Sequence, residues 1–136
     1  MVQSFTQAHV EVTGGPRLSI IIPTFNEAST LAATLQRTVG VPSCEVIIVD
    51  GGSTDATVSI AKAHGVRVLT APIGRASQMN AGAQVATGQL LLFLHADTLL
   101  PDGFATEVDR TLALPGVAAG AFRFQLPGQN FSNRLI

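Results

Sequence analysis

The chain has 136 residues, 46% hydrophobic and 12% charged, enough for one globular domain and too apolar for a disordered segment. A formal net charge of −1 with no basic run argues against a nucleic-acid binder. The single cysteine, Cys44, precludes an internal disulfide framework and fits a reducing compartment, where it serves as a small hydrophobe at the mouth of a strand.

Residues 1–16 read as a loose leader ending in Gly14-Gly15-Pro16. They include Glu11 and lack the apolar core of a secretory signal. No apolar run approaches the length of a membrane span, so the expected location is cytoplasmic. Leu18 to Ile22 form the first predicted strand, rich in β-branched residues and stopped by Pro23. Thr24 and Glu27 have the spacing of a capping box, and Leu31, Leu35 and Val39 give a helical stripe closed by Gly40.

Val46 to Val49 read as a second buried strand ending at Asp50. Gly51-Gly52-Ser53-Thr54-Asp55 then turns into a helix, with Ser53 or Thr54 as N-cap and Gly65 closing it. Arg67 to Thr70 read as a shorter strand near an edge, and Ala76 to Ala86 as a helix of small residues. Leu90 to Leu94 is an unalternated apolar run, which predicts a central strand buried on both faces. It leads directly into His95-Ala96-Asp97. Phe104, Val108 and Leu112 mark a helix after Pro101, and Ala118 to Gln125 are expected to form a fifth strand.

Strands and helices alternate throughout, which predicts an α/β fold: a Rossmann-like, mostly parallel sheet with right-handed crossovers and helices on both faces. Every strand-to-helix turn then falls on one sheet edge, where open α/β folds bind ligands. Three polar groups converge there, residues 23–27, residues 50–55 and residues 95–97, joined by the Gly74 to Asn80 turn. Helix N-termini on such an edge favour anions, and Arg75 could add a bidentate phosphate contact.

Plainer roles remain open for most of these residues. Glu27 and Asp55 could be helix caps, Arg75 a solvated charge and Met79 packing, while Asp97 could be a cap or a ligand. His9 and His64 read as surface residues. Asp50 has no obvious cap to make. The chain lacks a G-x-G-x-x-G turn after the first strand, a P-loop and a G-x-S-x-G elbow, which argues against dinucleotide, P-loop and hydrolase chemistry.

Residues 18–27 and 46–55 together resemble the amino-terminal half of glycosyltransferase family 2. Residues 74–82 and 92–98 resemble one bacterial subgroup, associated with radical-SAM or selenium-linked proteins. The likeness covers about residues 17–125. It implies a GT-A nucleotide-sugar-binding domain over residues 17–127, with residues 128–136 as a truncated tail.

By this resemblance, Pro23, Thr24, Phe25, Asn26 and Glu27 would hold the base and ribose together with Asp50, the base contact, and Gly52 and Ser53 would belong to the nucleotide-sugar site. Arg75 and Asn80 would face the nucleotide or its diphosphate. His95-Ala96-Asp97 stands in the place of the family's D-x-D motif, so Asp97 would ligate Mg²⁺ or Mn²⁺. His95 replaces the first aspartate and is a poor Mg²⁺ ligand, though it can still hydrogen-bond a ribose. The implied donor is a UDP- or GDP-linked sugar and the implied reaction an inverting transfer.

Family members continue into an acceptor-binding half that supplies the catalytic base. No carboxylate follows Asp109, so the sequence nominates no base. A non-catalytic nucleotide-sugar-binding module is the alternative. A sugar nucleotidyltransferase would carry a basic, Gly-rich loop where residues 23–27 stand. Apolar surface near Phe122, Phe124 and Phe131 is expected to be exposed, giving self-association into a homo-oligomer or loose order after about Pro127.

Overall fold

The apolar runs become four parallel strands: β1 (Leu18–Thr24), β2 (Cys44–Asp50), β3 (Arg67–Thr70) and β4 (Leu90–Phe93). Four helices alternate with them: α1 (Leu31–Thr38), α2 (Thr57–Ala63), α3 (Arg75–Val85) and α4 (Phe104–Leu112). The structure, a computed structural model, describes residues 15–122.

The strand order is β3-β2-β1-β4. The chain therefore steps outward from β1 through β2 to β3, then returns to the other side of β1. This reversal beside β1 is the topological switch point at which such sheets open a crevice.

Strand periodicity divides the core into two layers. Ile20, Ile22, Val46 and Ile48 pack with Leu31 and Leu35 of α1, Ala61 of α2, and Phe104 and Val108 of α4. Ile21, Ile47 and Val49 face the opposite way, against Ala81, Ala83 and Val85 of α3. Helices thus cover both faces, as the alternating pattern predicts.

Alanine at Gly82 would drive its Cβ into Ile21 Cγ2 and bring it within 3.0 Å of Val49 Cγ2. The missing side chain is what lets α3 lie close on β1 and β2.

Several expectations need correction. Pro23 lies inside β1, opposite Val49, instead of ending it. Ile21 accepts from Leu94 on the β4 side and Thr24 from Gly51 on the β2 side. By strand alternation, Pro23's missing N–H points toward β4, whose pairing ends at Phe93, so no ladder bond is lost.

The capping box from Thr24 to Glu27 does not form, because Thr24 is the last residue of β1 and its hydroxyl donates to Asp50 at 2.9 Å. Nor do Ser53 or Thr54 cap α2, whose first residue is Thr57. The N-cap position falls on Ala56, and Asp55 just before it accepts from the Thr57 backbone N–H at 2.9 Å and from its hydroxyl.

The largest difference concerns Leu90 to Leu94. β4 is an edge strand of the described sheet, and Leu91 and Phe93 are 42% and 44% exposed. An unbroken apolar run does not reveal which faces are covered. α3 lies over β1 and β2 but not over β4, so the face shared with Ser19 and Ile21 stays open at Leu91 and Phe93.

Of the expected fifth strand, residues 118–121 are irregular and Phe122 makes a single-residue bridge. Phe122 is partly buried against the core, which removes it from the predicted exposed patch. Residues 123–125, with Phe124 and Phe131, lie outside the described residues. No helix among the described residues is long and apolar enough to cross a membrane.

Candidate functional site

At the carboxyl ends of β1 and β2, two loops hold each other in place. Asp50, only 3% exposed, is the knot between them. One carboxylate oxygen accepts the Thr24 and Ser53 hydroxyls, and the other accepts the backbone N–H groups of Gly52 and Ser53 at 2.9 and 2.8 Å. Burial pushes its carboxyl pKa up, but the bonds from Ser53, Gly52 and Thr24 together outweigh that and leave it below the ordinary value.

Four donors occupy the roughly four lone-pair positions of a carboxylate. Asp50 therefore shapes the loop, with its carboxylate positions engaged within the protein itself. Gly52 and Ser53 belong to the same knot and do not line the cleft.

Asn26 ties the β1 loop to the β2 loop from the other side. It adopts a left-handed backbone, φ 53°, which asparagine tolerates better than most residues. Its side-chain oxygen accepts from the Thr54 N–H at 2.8 Å and the Asp55 N–H at 3.3 Å, while its own N–H donates to Ser53. Glu27 N–H donates to the Thr57 hydroxyl at 2.8 Å, and Ala28 N–H to Asp55 at 3.1 Å.

The cleft itself, about 270 Å³, opens at the switch point between β1 and β4. Pro23, Thr24, Phe25 and Glu27 line one wall, and His95, Ala96 and Asp97 the other. Ile73, Gly74, Arg75 and Gln78 close it from the α3 side. Phe25 and Ile73 are exposed apolar surfaces at its mouth.

Arg75 has no hydrogen-bond or ion-pair partner among the described residues. Asp97 is exposed and accepts only a long 3.3 Å bond from the Thr98 hydroxyl. Among the described residues the opening is thus lined by an unpaired cation, Arg75, and two lightly bonded carboxylates, Asp97 and Glu27, the latter accepting a 3.4 Å bond from the Thr30 hydroxyl.

The structure does not bring Asn80 to this cleft. α3 buries Gln78 and Gly82 against the sheet, and a residue two positions after Gln78 is turned about 200° away from that face.

Two positioning residues, Gln78 and Thr34, have no role of their own in the sequence reading, and Asn26 has one only as part of residues 23–27. Gln78 is buried at the cleft's base. The buried Thr34 of α1 donates to the Ala96 carbonyl at 2.7 Å and fixes the His95 to Asp97 arm. Asn26 latches the two loops. A signal for the first existed: Gln78 and Gly82, four apart on one helix, mark the face that approaches the strands most closely.

No group of three His, Cys, Asp or Glu side chains among the described residues converges as a cage for a metal ion. The site still fits a hard cation of the type that keeps several waters and takes only one or two carboxylates plus substrate phosphates. Asp97, with its oxygens largely free, is the residue that would hold it.

A larger hollow of about 430 Å³ lies at the opposite edge, between Arg17, Cys44, Gln89 and Asp109. There Arg17 is already bonded to Asp109 and to Gln89. Burial pushes the Cys44 thiol pKa up, away from the reactive thiolate. The smaller cleft, with its unpaired charges, is the stronger candidate.

A parallel α/β sheet with a charged opening at its carboxyl edge, beside a reversal of strand order, defines a ligand-binding domain of the doubly wound class. Residues 19–131 match the sequence profile of Glycosyl transferase family 2, and the chain belongs to that family.

It is 42% identical over 95 residues to a PGL/p-HBAD biosynthesis glycosyltransferase of Mycobacterium tuberculosis, covering 62% of this chain and 37% of that protein. It is 34% identical over 146 residues to the dolichyl-phosphate beta-glucosyltransferase of Drosophila melanogaster, covering 88% of this chain and 45% of that one. Among solved structures, it resembles a mannosyltransferase from Pyrobaculum calidifontis in complex with GDP-Man and Mn²⁺. That match has a TM-score of 0.64 and 31% identity, and covers 77% of this chain and 34% of the other. The chain thus spans less than half the length of these relatives.

Proposed function

We propose that this chain is the donor-binding part of an inverting glycosyltransferase, holding a nucleoside-diphosphate sugar at the β1/β4 cleft together with a divalent cation. The observation that carries this is the pairing of an unpartnered Arg75 with a free Asp97 on one opening at the switch point. The similar mannosyltransferase bound to GDP-Man and Mn²⁺ supports it.

In this reading the base and ribose lie between Phe25 and Ile73, exposed apolar surfaces suited to a ring system, with Glu27 and His95 available to sugar hydroxyls. Asp50 acts indirectly, by holding the loop behind Thr24. Arg75 takes the diphosphate, aided by the exposed N–H groups at the start of α3. Asp97 would hold Mn²⁺ or Mg²⁺, whose chemistry is to offset the charge that develops on the departing diphosphate.

Arg75 directly, and Asp97 by holding that cation, would offset the leaving group's charge from two sides, which is stabilisation of the electrostatic type. On residues 74–82 and 92–98 we further propose a place in the bacterial subgroup named above.

Calorimetric titration with GDP and UDP, with and without Mn²⁺, tests the reading. Metal-dependent binding of either, weakened at least tenfold by Asp97→Ala, is expected. No binding of any nucleoside diphosphate under either condition would sink it. Hydrolysis or transfer of a UDP- or GDP-linked sugar by this chain would remove the non-catalytic module as an alternative.

A further inference from the structure

Gln78 is a polar side chain only 4% exposed, at the one place where the ends of two strands, the turn after β2 and the start of α3 all meet. A buried primary amide in an apolar helix–sheet interface is costly unless its donors and acceptor are used. Here they are. Its Nε2 donates to the Thr24 carbonyl of β1 and to the Val49 carbonyl of β2, both at 2.8 Å. Its Oε1 accepts from the Gly74 N–H at 3.1 Å, and its own backbone N–H donates to the Gly74 carbonyl at 2.9 Å.

The Thr24 carbonyl already receives the Gly51 N–H at 2.9 Å, so the amide takes that oxygen's second lone pair. One side chain thus fastens the strand ends of the knotted β1–β2 corner to the N-cap of the helix whose first residue is Arg75.

Two glycines fit around this amide. The close approach allowed by Gly82, one turn along the same face, brings Gln78 within reach of the strand carbonyls. At Gly51 an added Cβ would lie 3.2 Å from Nε2 and 3.3 Å from both Cδ and Oε1, so the turn after β2 packs directly on the amide plane.

We propose that Gln78 is a positioning residue that sets Arg75 against the cleft, because its amide joins the Thr24 and Val49 carbonyls to the Gly74 N–H. It acts through Arg75 and the loop, since its own amide hydrogens and oxygen are engaged within the protein. The inference rests on the nucleoside-diphosphate reading for its consequence on binding, while the tie itself has a readout that needs no ligand.

The experiment is a double-mutant cycle of Gln78→Met and Arg75→Ala, read by calorimetry with Mn²⁺ and whichever of GDP or UDP the wild type binds, beside the matching monophosphate. Each single variant is expected to weaken the diphosphate about tenfold, and the double variant no more than Arg75→Ala alone, since Gln78 acts through Arg75. Loss on the monophosphate should be smaller than on the diphosphate. Independent, multiplying effects, or equal loss on both nucleotides, would reduce Gln78 to general packing and overturn the proposal.

Amide hydrogen exchange without ligand decides the structural half. Exchange should rise at Gly74 in Gln78→Met while the β1 and β2 amides keep their protection; unchanged exchange at Gly74 overturns it. If the wild type binds no nucleotide, the functional reading falls and the exchange result still stands. Should Gln78→Met fail to fold, Gly51→Ala displaces the same amide without removing it and is expected to produce the same local exchange in weaker form; no change there counts against the proposal.

Discussion

Two aspartates sit on the same edge of the sheet, at the ends of strands that flank β1, and they could hardly be used more differently. Asp50 is buried and receives four protein donors, from Thr24, Gly52 and Ser53. Asp97 is exposed and receives one long bond from its own neighbour. The corner around Asp50 is further locked by Asn26, Asp55 and Gln78, whereas the arm bearing Asp97 is tethered at Ala96 by Thr34. One side of the cleft is built before any ligand arrives, and the other keeps its oxygens free for something the protein does not supply.

The contrast breaks most visibly at the carboxylates themselves. Asp50→Ala strips four donors of their acceptor and should cost about 3 kcal/mol of stability, while Asp97→Ala should stay within about 0.5 kcal/mol. Denaturant unfolding of the two variants checks this, and equal losses would erase the distinction.

The same corner sets the acid limit. Asp50 holds its proton more weakly folded than unfolded, so its stabilisation is complete above the ordinary carboxylate range and disappears as pH falls through the depressed folded value. Glu45, raised by burial but lowered further by bonds from Ser19, Thr87 and Gly88, slopes the same way. Asp50→Asn should therefore flatten only part of the fall in melting temperature at low pH. A wild-type protein whose stability does not change across that range would contradict both assignments.

Gly82→Ala comes next. Its methyl would meet Ile21 and Val49 and lift α3, for about 1–3 kcal/mol by thermal or chemical unfolding. Thr34→Val is subtler: it leaves the Ala96 carbonyl unsatisfied, costs about 1–2 kcal/mol, and should weaken metal-dependent nucleotide binding while sparing the Asp50 corner. A variant that loses stability but binds as before would show that the Asp97 arm needs no tether. Asn80→Ala, on the outer side of α3, should change neither stability nor binding measurably.

Much of this layout was readable from the chain. Alternating apolar runs and helical stripes mark all four strands and four helices, because burial on a two-faced sheet forces both patterns on the sequence. The cleft-facing Arg75 and Asp97 follow from turns that must share an edge.

What could not be read was how each polar group is used. Both aspartates come after apolar strands; what separates them is the turn that follows Asp50, whose Gly52 and Ser53 supply three donors, together with Thr24, which is distant in sequence and adjacent in space. Likewise the run Leu90 to Phe93 is uniformly apolar although only one of its faces is covered, because coverage depends on where α3 is laid. Gln78 escaped because its partners lie in β1, in β2 and at the N-cap of α3.

The strand order also fixes a sequence of assembly. β1 meets β2 after a single intervening helix, but meets β4 only after three helices and two strands. Closing the longer loop costs on the order of 1 kcal/mol more in chain entropy, before the contacts it brings can offset it. The locked corner is therefore the expected nucleus, and the strand that delivers Asp97 a late addition. Ile48→Val should slow folding, whereas Leu92→Ala should chiefly speed unfolding. The half of the cleft that waits for its ligand is also the half that the chain completes last.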